Sequence, residues 1–218
     1  MTDKHEEDKN SPAQPGVKLL VTLRRLMPLR RLAYWEHLIV AERQAERLQR
    51  ELGQTEPGVS LEWLTDGHLG NIEVVLESRW RMEGLSGMTS WTDGHWVIGV
   101  NKGNPQARRR YTLCHELKHV LDAHRDKITY QGLSDSQRER IADYFAACYL
   151  MPKVWVRRAW VNGIQDPEAL AGLFKVSVQA MEKRLKYLQF LDDEPDRSVT
   201  TYFRAQSDAV VQGPELAA

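Results

Sequence analysis

Apolar side chains return every three to four positions along most of this chain, which is the period of an amphipathic helix. Leu29, Leu32, Ala33, Leu38, Ile39, Ala41, Ala45, Leu48 and Leu52 form one such run. Pro28 can open it, because a proline's missing N–H would lack a partner there anyway, and Gly53 closes it. Glu42, Arg43, Glu46, Arg47 and Arg50 fall on the other side as a solvated face. Upstream, Leu19, Leu20, Val21 and Leu23 make only a short apolar patch. Met1–Gly16 has no apolar period and no secretory core, and reads as a disordered tail. Ser60 is placed to cap a short helix through Leu64. The pattern then changes: Ile72–Glu77 reads as a strand, and Gly87–Trp91 and His95–Asn101 as a pair of strands. The Asp93-Gly94 turn between that pair is a strong hairpin signal. This predicts a small antiparallel sheet.

Helical spacing resumes at Pro105. Leu113, Leu117, Val120 and Leu121 form a buried stripe, and Ser136–Ala147 reads as a second helix. After Pro152 come Val154–Val161, a segment opened by Asp166-Pro167 and running to Phe174, and a helix capped by Ser177 that extends to Leu191. Helix, short turn, helix is the cadence of a helix-turn-helix. The polar positions of its second helix are Gln179, Glu182, Lys183, Arg184, Lys186 and Gln189, a mildly basic face of the kind that can enter a major groove. The fold class expected is α+β, mostly helical, divided at residues 17–152 and 153–191 with tails at 1–16 and 192–218.

Composition narrows the function. Lys+Arg and Asp+Glu balance at 30 each, so no global field favours nucleic acid or an anionic membrane. No stretch has the length of a membrane-spanning helix. The cysteines, Cys114 and Cys148, give no disulfide framework, which fits a reducing, cytoplasmic setting.

The chemistry is concentrated in His115-Glu116-Leu117-Lys118-His119, an H-E-x-x-H run on a helix. Residues four apart share one helical face, so His115 and His119 can aim two imidazoles at a single ion, and Glu116 can reach a water beside it. A zinc peptidase site needs a third protein ligand and an open position. Glu139 on the next helix can supply that ligand. Asp143, one turn on, can accept the free ring N–H of a ligand histidine. Cys114 faces elsewhere and reads as a buried thiol. His124 reads as a packing or outer-sphere histidine, and His5, His37, His68 and His95 as ordinary surface residues. Arg108, Arg109 and Arg110 oppose the dipole at the start of the H-E-x-x-H helix, so something must offset them.

H-E-x-x-H followed by E-x-x-x-D resembles the ligand pattern of gluzincin metallopeptidases. The run Ala142-Asp143-Tyr144-Phe145-Ala146-Ala147-Cys148-Tyr149-Leu150-Met151-Pro152 resembles a signature of the ImmA/IrrE metallo-endopeptidases. It departs from that signature at Cys148, where a glutamate is often found. The resemblance implies a zincin-like domain holding Zn²⁺, with Glu116 as general base and a helix-turn-helix transcriptional repressor as protein substrate. It also implies an accessory role for the C-terminal helices. In zinc peptidases an edge strand beside the metal helix pairs with substrate backbone. Trp96, Val97, Ile98, Gly99, Val100 and Asn101 are the strand expected there. Tyr130 and Arg110 are candidates for the donor to the oxyanion. The alternatives are a DNA-binding regulator with a structural zinc site, and a non-proteolytic toxin–antitoxin partner.

Overall fold

The computed structural model describes residues 15–65, 71–78, 81–82 and 84–191. Residues 1–14 of the tail expected at 1–16, the tail expected at 192–218, and His5 and His68 lie outside them. In chain order the elements are α1 (Pro15–Arg25), α2 (Tyr34–Glu51), α3 (Glu62–Thr65), β1 (Ile72–Glu77), β2 (Gly87–Thr92) and β3 (His95–Asn101). Then come α4 (Gln106–Asp122), α5 (Asp126–Thr129), α6 (Asp135–Leu150), α7 (Lys153–Val161), α8 (Pro167–Phe174) and α9 (Val178–Tyr187). The α+β class holds. Helix α6 packs between α2 and α4, and α4 in turn lies against β2 and β3. No described helix is long and apolar enough to cross a membrane.

The sheet is mixed. Its order is β1-β3-β2, with β1 parallel and β2 antiparallel to β3. Ile72 lies opposite Trp96 and Glu77 opposite Asn101 on one flank, while Gly87 pairs with Val100 and Thr92 with His95 on the other. This corrects the expected edge: Trp96–Asn101 is the central strand, and its backbone is engaged on both sides. The hairpin turn was legible because it is local. The parallel partner is separated from β3 by β2 and its connections, and leaves no turn signature. Ile98, Gly99, Val100 and Asn101 are all buried, as a strand covered on both faces requires.

Several expectations about the helices shift. The first helix starts at Pro15, inside the expected tail, and buries Leu20 and Leu23. The run expected from Pro28 becomes helical only at Tyr34. There the Glu36 carboxylate accepts the Ala33 N–H at 2.8 Å and pairs with Arg30 at 2.6 Å. The preceding segment is held instead by Leu32 N–H donating to the Thr129 carbonyl at 3.2 Å. Gly53 ends α2 with φ +60, as its position suggested. Glu42, assigned to a solvated face, is buried and meets Lys153 at 3.0 Å. His37 is fully buried rather than superficial, its ring 4.3 Å from that of Tyr130.

The C-terminal helices form on the expected caps. Asp166 accepts the Ala169 N–H at 2.7 Å, and Ser177 accepts the Ala180 N–H at 3.2 Å. Helix α9 stops at Tyr187, short of Leu191. Leu170, Phe174, Met181 and Leu185 are fully buried in the same core as Leu117, Phe145 and Leu48. Arg184, read as part of an open basic face, is 2 % exposed and donates to the Met151 carbonyl at 3.0 Å. Its long apolar stem suits burial, and a carbonyl at the end of α6 takes the head group.

Candidate metal centre

Helix α4 begins after Pro105 and buries Leu113, Leu117, Val120 and Leu121, which rotates His115 and His119 toward the opposite side. Their rings lie 5.0 Å apart, with the Nε2 atoms separated by 3.2 Å. Helix α6 starts on a Ser134–Gln137 capping box and carries Glu139 across from them. Glu139 Oε2 is 3.2 Å from His115 Nε2, and Oε1 is 3.6 Å from His119 Nε2. One ligand atom from each of the three residues falls within 4.8 Å of the others. Two imidazole nitrogens and a carboxylate oxygen at that separation fit a zinc ion with one position left for water. Glu139 is the most exposed of the three, so the open side faces out.

The His115 ring is oriented from behind. Asp143 Oδ1 lies 3.0 Å from His115 Nδ1, which makes Nδ1 the protonated nitrogen and leaves Nε2 for the ion. Tyr111 O–H donates to the Asp143 carbonyl at 2.8 Å and ties the two helices together at this level. Burial opposes protonation of His115, but the Asp143 hydrogen bond and charge, with Glu116 and Glu139, overcome it and raise its pKa. His119 shifts the other way, lowered by burial and then by the neighbouring His115. Burial would raise Asp143, yet its contacts with His115 and Lys183 hold it below the usual carboxylate value.

Glu116 stays out of the ligand cluster. Thr89 on β2 donates to its Oε2 at 2.7 Å, and Glu116 is only 8 % exposed. Gly87, at the start of the same strand, lets the backbone come close: a Cβ there would sit 2.4 Å from Thr112 Cγ2 and 2.8 Å from Glu116 Oε1. Neither Thr89 nor Gly87 was among the expected site residues. They reach Glu116 through strand-to-helix packing, and no sequence spacing encodes that. A cleft of about 430 Å³ opens beside the cluster, lined by Glu116, His119, Glu139, Trp96, Tyr130 and Arg138, among others. Of the six residues expected to bind substrate, Trp96 lines this cleft. Ile98, Gly99, Val100 and Asn101 are buried instead, and Asn101 Nδ2 donates to the Leu85 carbonyl at 3.0 Å.

The two candidate oxyanion donors are committed elsewhere. The Tyr130 hydroxyl donates to Asp122 Oδ2, part of a buried network in which Lys118 Nζ meets Asp122 at 2.7 Å and Gln44 Oε1 at 2.7 Å. Arg110 donates to the Val59 carbonyl at 2.7 Å and the Lys175 carbonyl at 3.2 Å, and lines a different cavity. Arg108 donates to Ser86 Oγ at 3.0 Å. Hydrogen-bond acceptors rather than acids therefore receive Arg108 and Arg110. In the metal cleft the cation is Arg138. Its guanidinium lies 5.6 Å from the Tyr130 ring centroid and donates through Nη2 to the Tyr130 carbonyl at 3.5 Å, while its buried Nε has no hydrogen-bond partner among the described residues. His124 sits 3.3 Å from Arg24, outside the cluster. Cys114 and Cys148 are free and buried, and burial pushes the Cys114 thiol up to about 12.

A family model described as the IrrE N-terminal-like domain, Peptidase M78, matches residues 74–186, from β1 to the end of α9 and more than half of the chain. No curated protein matches. One similar solved structure is described as a Mycobacterium tuberculosis transcriptional regulator, with 19% identity and a TM-score of 0.54. The match covers 75% of this chain and 50% of that one. The likeness is one of fold, and this chain spans half the length of that protein.

Proposed function

This chain belongs to the Peptidase M78 family, that of the IrrE N-terminal-like domain, and from that premise we propose that it is a zinc-dependent endopeptidase. The observation that carries the reading is the convergence of His115, His119 and Glu139 beside a Glu116 that is held apart from them. A structural zinc site closes its fourth position and has no use for a neighbouring base.

His115, His119 and Glu139 would hold the ion, with Asp143 fixing the His115 tautomer. Bound zinc supplies Lewis acidity, bringing the pKa of a coordinated water to about 7. Glu116 acts as the base: its carboxylate accepts a proton from the attacking water and later delivers it to the amine leaving the peptide bond. Thr89 holds one oxygen of that carboxylate, leaving the other for the proton. Arg138, the cation lining this cleft, is our candidate donor to the substrate carbonyl as charge develops on its oxygen. An extended peptide pairs with the free edge of β2 rather than with β3. Strand β2 has β3 as its only described strand partner and runs past Glu116 through Gly87 and Thr89.

The proposed substrate is a helix-turn-helix transcriptional repressor in the cytoplasm, cut in an extended linker. The fold neighbour is described as a transcriptional regulator, which supports a setting in gene control. The partly buried α9, with Arg184 turned inward, favours this reading over direct DNA binding. Incubating the purified protein with such a repressor, with and without a chelator, tests the proposal. Cleavage should require metal and disappear in Glu116→Gln, which should still bind one zinc. Loss of zinc in Glu116→Gln would overturn the division of roles.

A further inference from the structure

The carboxylate that orients His115 is itself held from the far side by the helix-turn-helix-like pair. Asp143 Oδ1 accepts from His115 Nδ1 at 3.0 Å, and its other oxygen, Oδ2, lies 3.6 Å from Lys183 Nζ on α9. We infer that Lys183 is a positioning residue for the metal centre. By placing its charge 3.6 Å from the second oxygen of Asp143, it biases the plane of that carboxylate and hence the direction in which His115 presents Nε2. The inference rests on His115 being a zinc ligand.

The placement of α9 makes this contact more than a passing surface pair. Arg184, the next residue, is buried and donates to the Met151 carbonyl at 3.0 Å, with its Nη1 3.6 Å from Cys148 Sγ. Tyr187, one turn on from Lys183, meets Tyr144 edge to face at 6.0 Å. Met181 and Leu185 are fully buried on the same helix. Helix α9 is thus fixed to α6 along the stretch that carries Asp143, so residue 183 stands opposite Asp143 by construction of the core. A half-exposed ammonium contributes little to folding. A carboxylate with one oxygen hydrogen-bonded and the other facing a cation has fewer orientations, and a ligand held in one orientation binds its ion more tightly. The C-terminal pair, outside the H-E-x-x-H and E-x-x-x-D motifs, then has a direct hold on the chemistry.

The test is zinc affinity of the full chain, measured by competition with a chromogenic chelator at low and high salt. Lys183→Met should melt like wild type but bind zinc several-fold more weakly, less than the roughly 10- to 100-fold expected of Asp143→Ala. Lys183→Arg should restore the affinity, and Lys183→Glu, which repels Asp143, should lose more than Lys183→Met. The gap between wild type and Lys183→Met should narrow at high salt, because the pair is partly exposed and screened. Equal affinities for wild type and Lys183→Met overturn the inference. So does a loss that arginine fails to rescue and salt fails to alter, since that would be packing. Wild-type protein that binds no zinc would instead overturn the metal-site reading itself, a different and separately visible result.

Discussion

At the scale of single residues, the candidate site depends on two close approaches with opposite sequence signals. His115 and His119 announce themselves by spacing, whereas Gly87 looks like any strand glycine. Its importance is that an added Cβ would overlap Thr112 and crowd the Glu116 carboxylate. Gly87→Ala should therefore push β2 away from α4 or displace Glu116. Peptide hydrolysis is expected to fall by at least about tenfold, as when a reacting group is misplaced by a fraction of an ångström, while zinc stoichiometry stays at one per chain. Unchanged kcat in that variant would show that the strand can yield without moving the base. His115 adds a pH prediction. Its pKa in the metal-free protein is raised, and zinc must displace that proton. Zinc affinity should fall as pH drops through the raised His115 value, and the decline should begin at lower pH in Asp143→Ala, where the group sustaining the raised value is gone.

At the scale of elements, the C-terminal helices carry part of the main core. Leu170, Phe174, Met181 and Leu185 are each fully buried. Burial of one such side chain is worth about 1.5–3 kcal/mol, so the four together reach about 6–12 kcal/mol, comparable to the whole stability of a typical domain. A chain ending at Asp166 should not unfold cooperatively, and should aggregate or bind a hydrophobic dye. A sharp melt from that truncated chain would instead mean that residues 167–191 are an appendage, as expected of a C-terminal module lying beyond Pro152. The sheet teaches the same lesson at its own level. Strand β3 reads as a hairpin arm, but β1 occupies its other side, which leaves β2, with β3 as its only described strand partner, as the edge strand that reaches Glu116.

At the scale of the whole molecule, stability is coupled to a histidine remote from the ligand cluster. His37 is fully buried between α2 and the α5 region; its Nε2 lies 2.9 Å from the Thr129 carbonyl, so that nitrogen carries the proton. Its Nδ1 has no partner among the described residues. Burial lowers its pKa, with the Thr129 hydrogen bond opposing the shift. The unfolded chain, with a histidine pKa of about 6.5, then takes up a proton more readily than the native one. The contribution of His37 to stability is present above about pH 6.5 and is lost as pH falls toward the depressed native value. Urea midpoints measured across that range should drop more steeply for wild type than for His37→Asn. Parallel slopes would show that His37 does not govern the acid limb.

Features that depend on neighbours along the chain could be read from the residues alone. Helical period and caps gave α4, α6 and α8. The Asp93-Gly94 turn gave the hairpin, and four-residue spacing gave both the histidine pair and the Glu139–Asp143 pair, because such features repeat within one turn of backbone. The motif context likewise pointed to the peptidase family. The packed fold set whatever depends on which surfaces meet. It put β1 beside β3, turned His37, Glu42 and Arg184 inward, paired Tyr130 with Asp122 and Arg110 with backbone carbonyls, and brought Gly87, Thr89, Arg138 and Lys183 near the ligand cluster. Those residues are drawn together by packing between elements distant in sequence, and a contact of that kind leaves no period, cap or spacing to read.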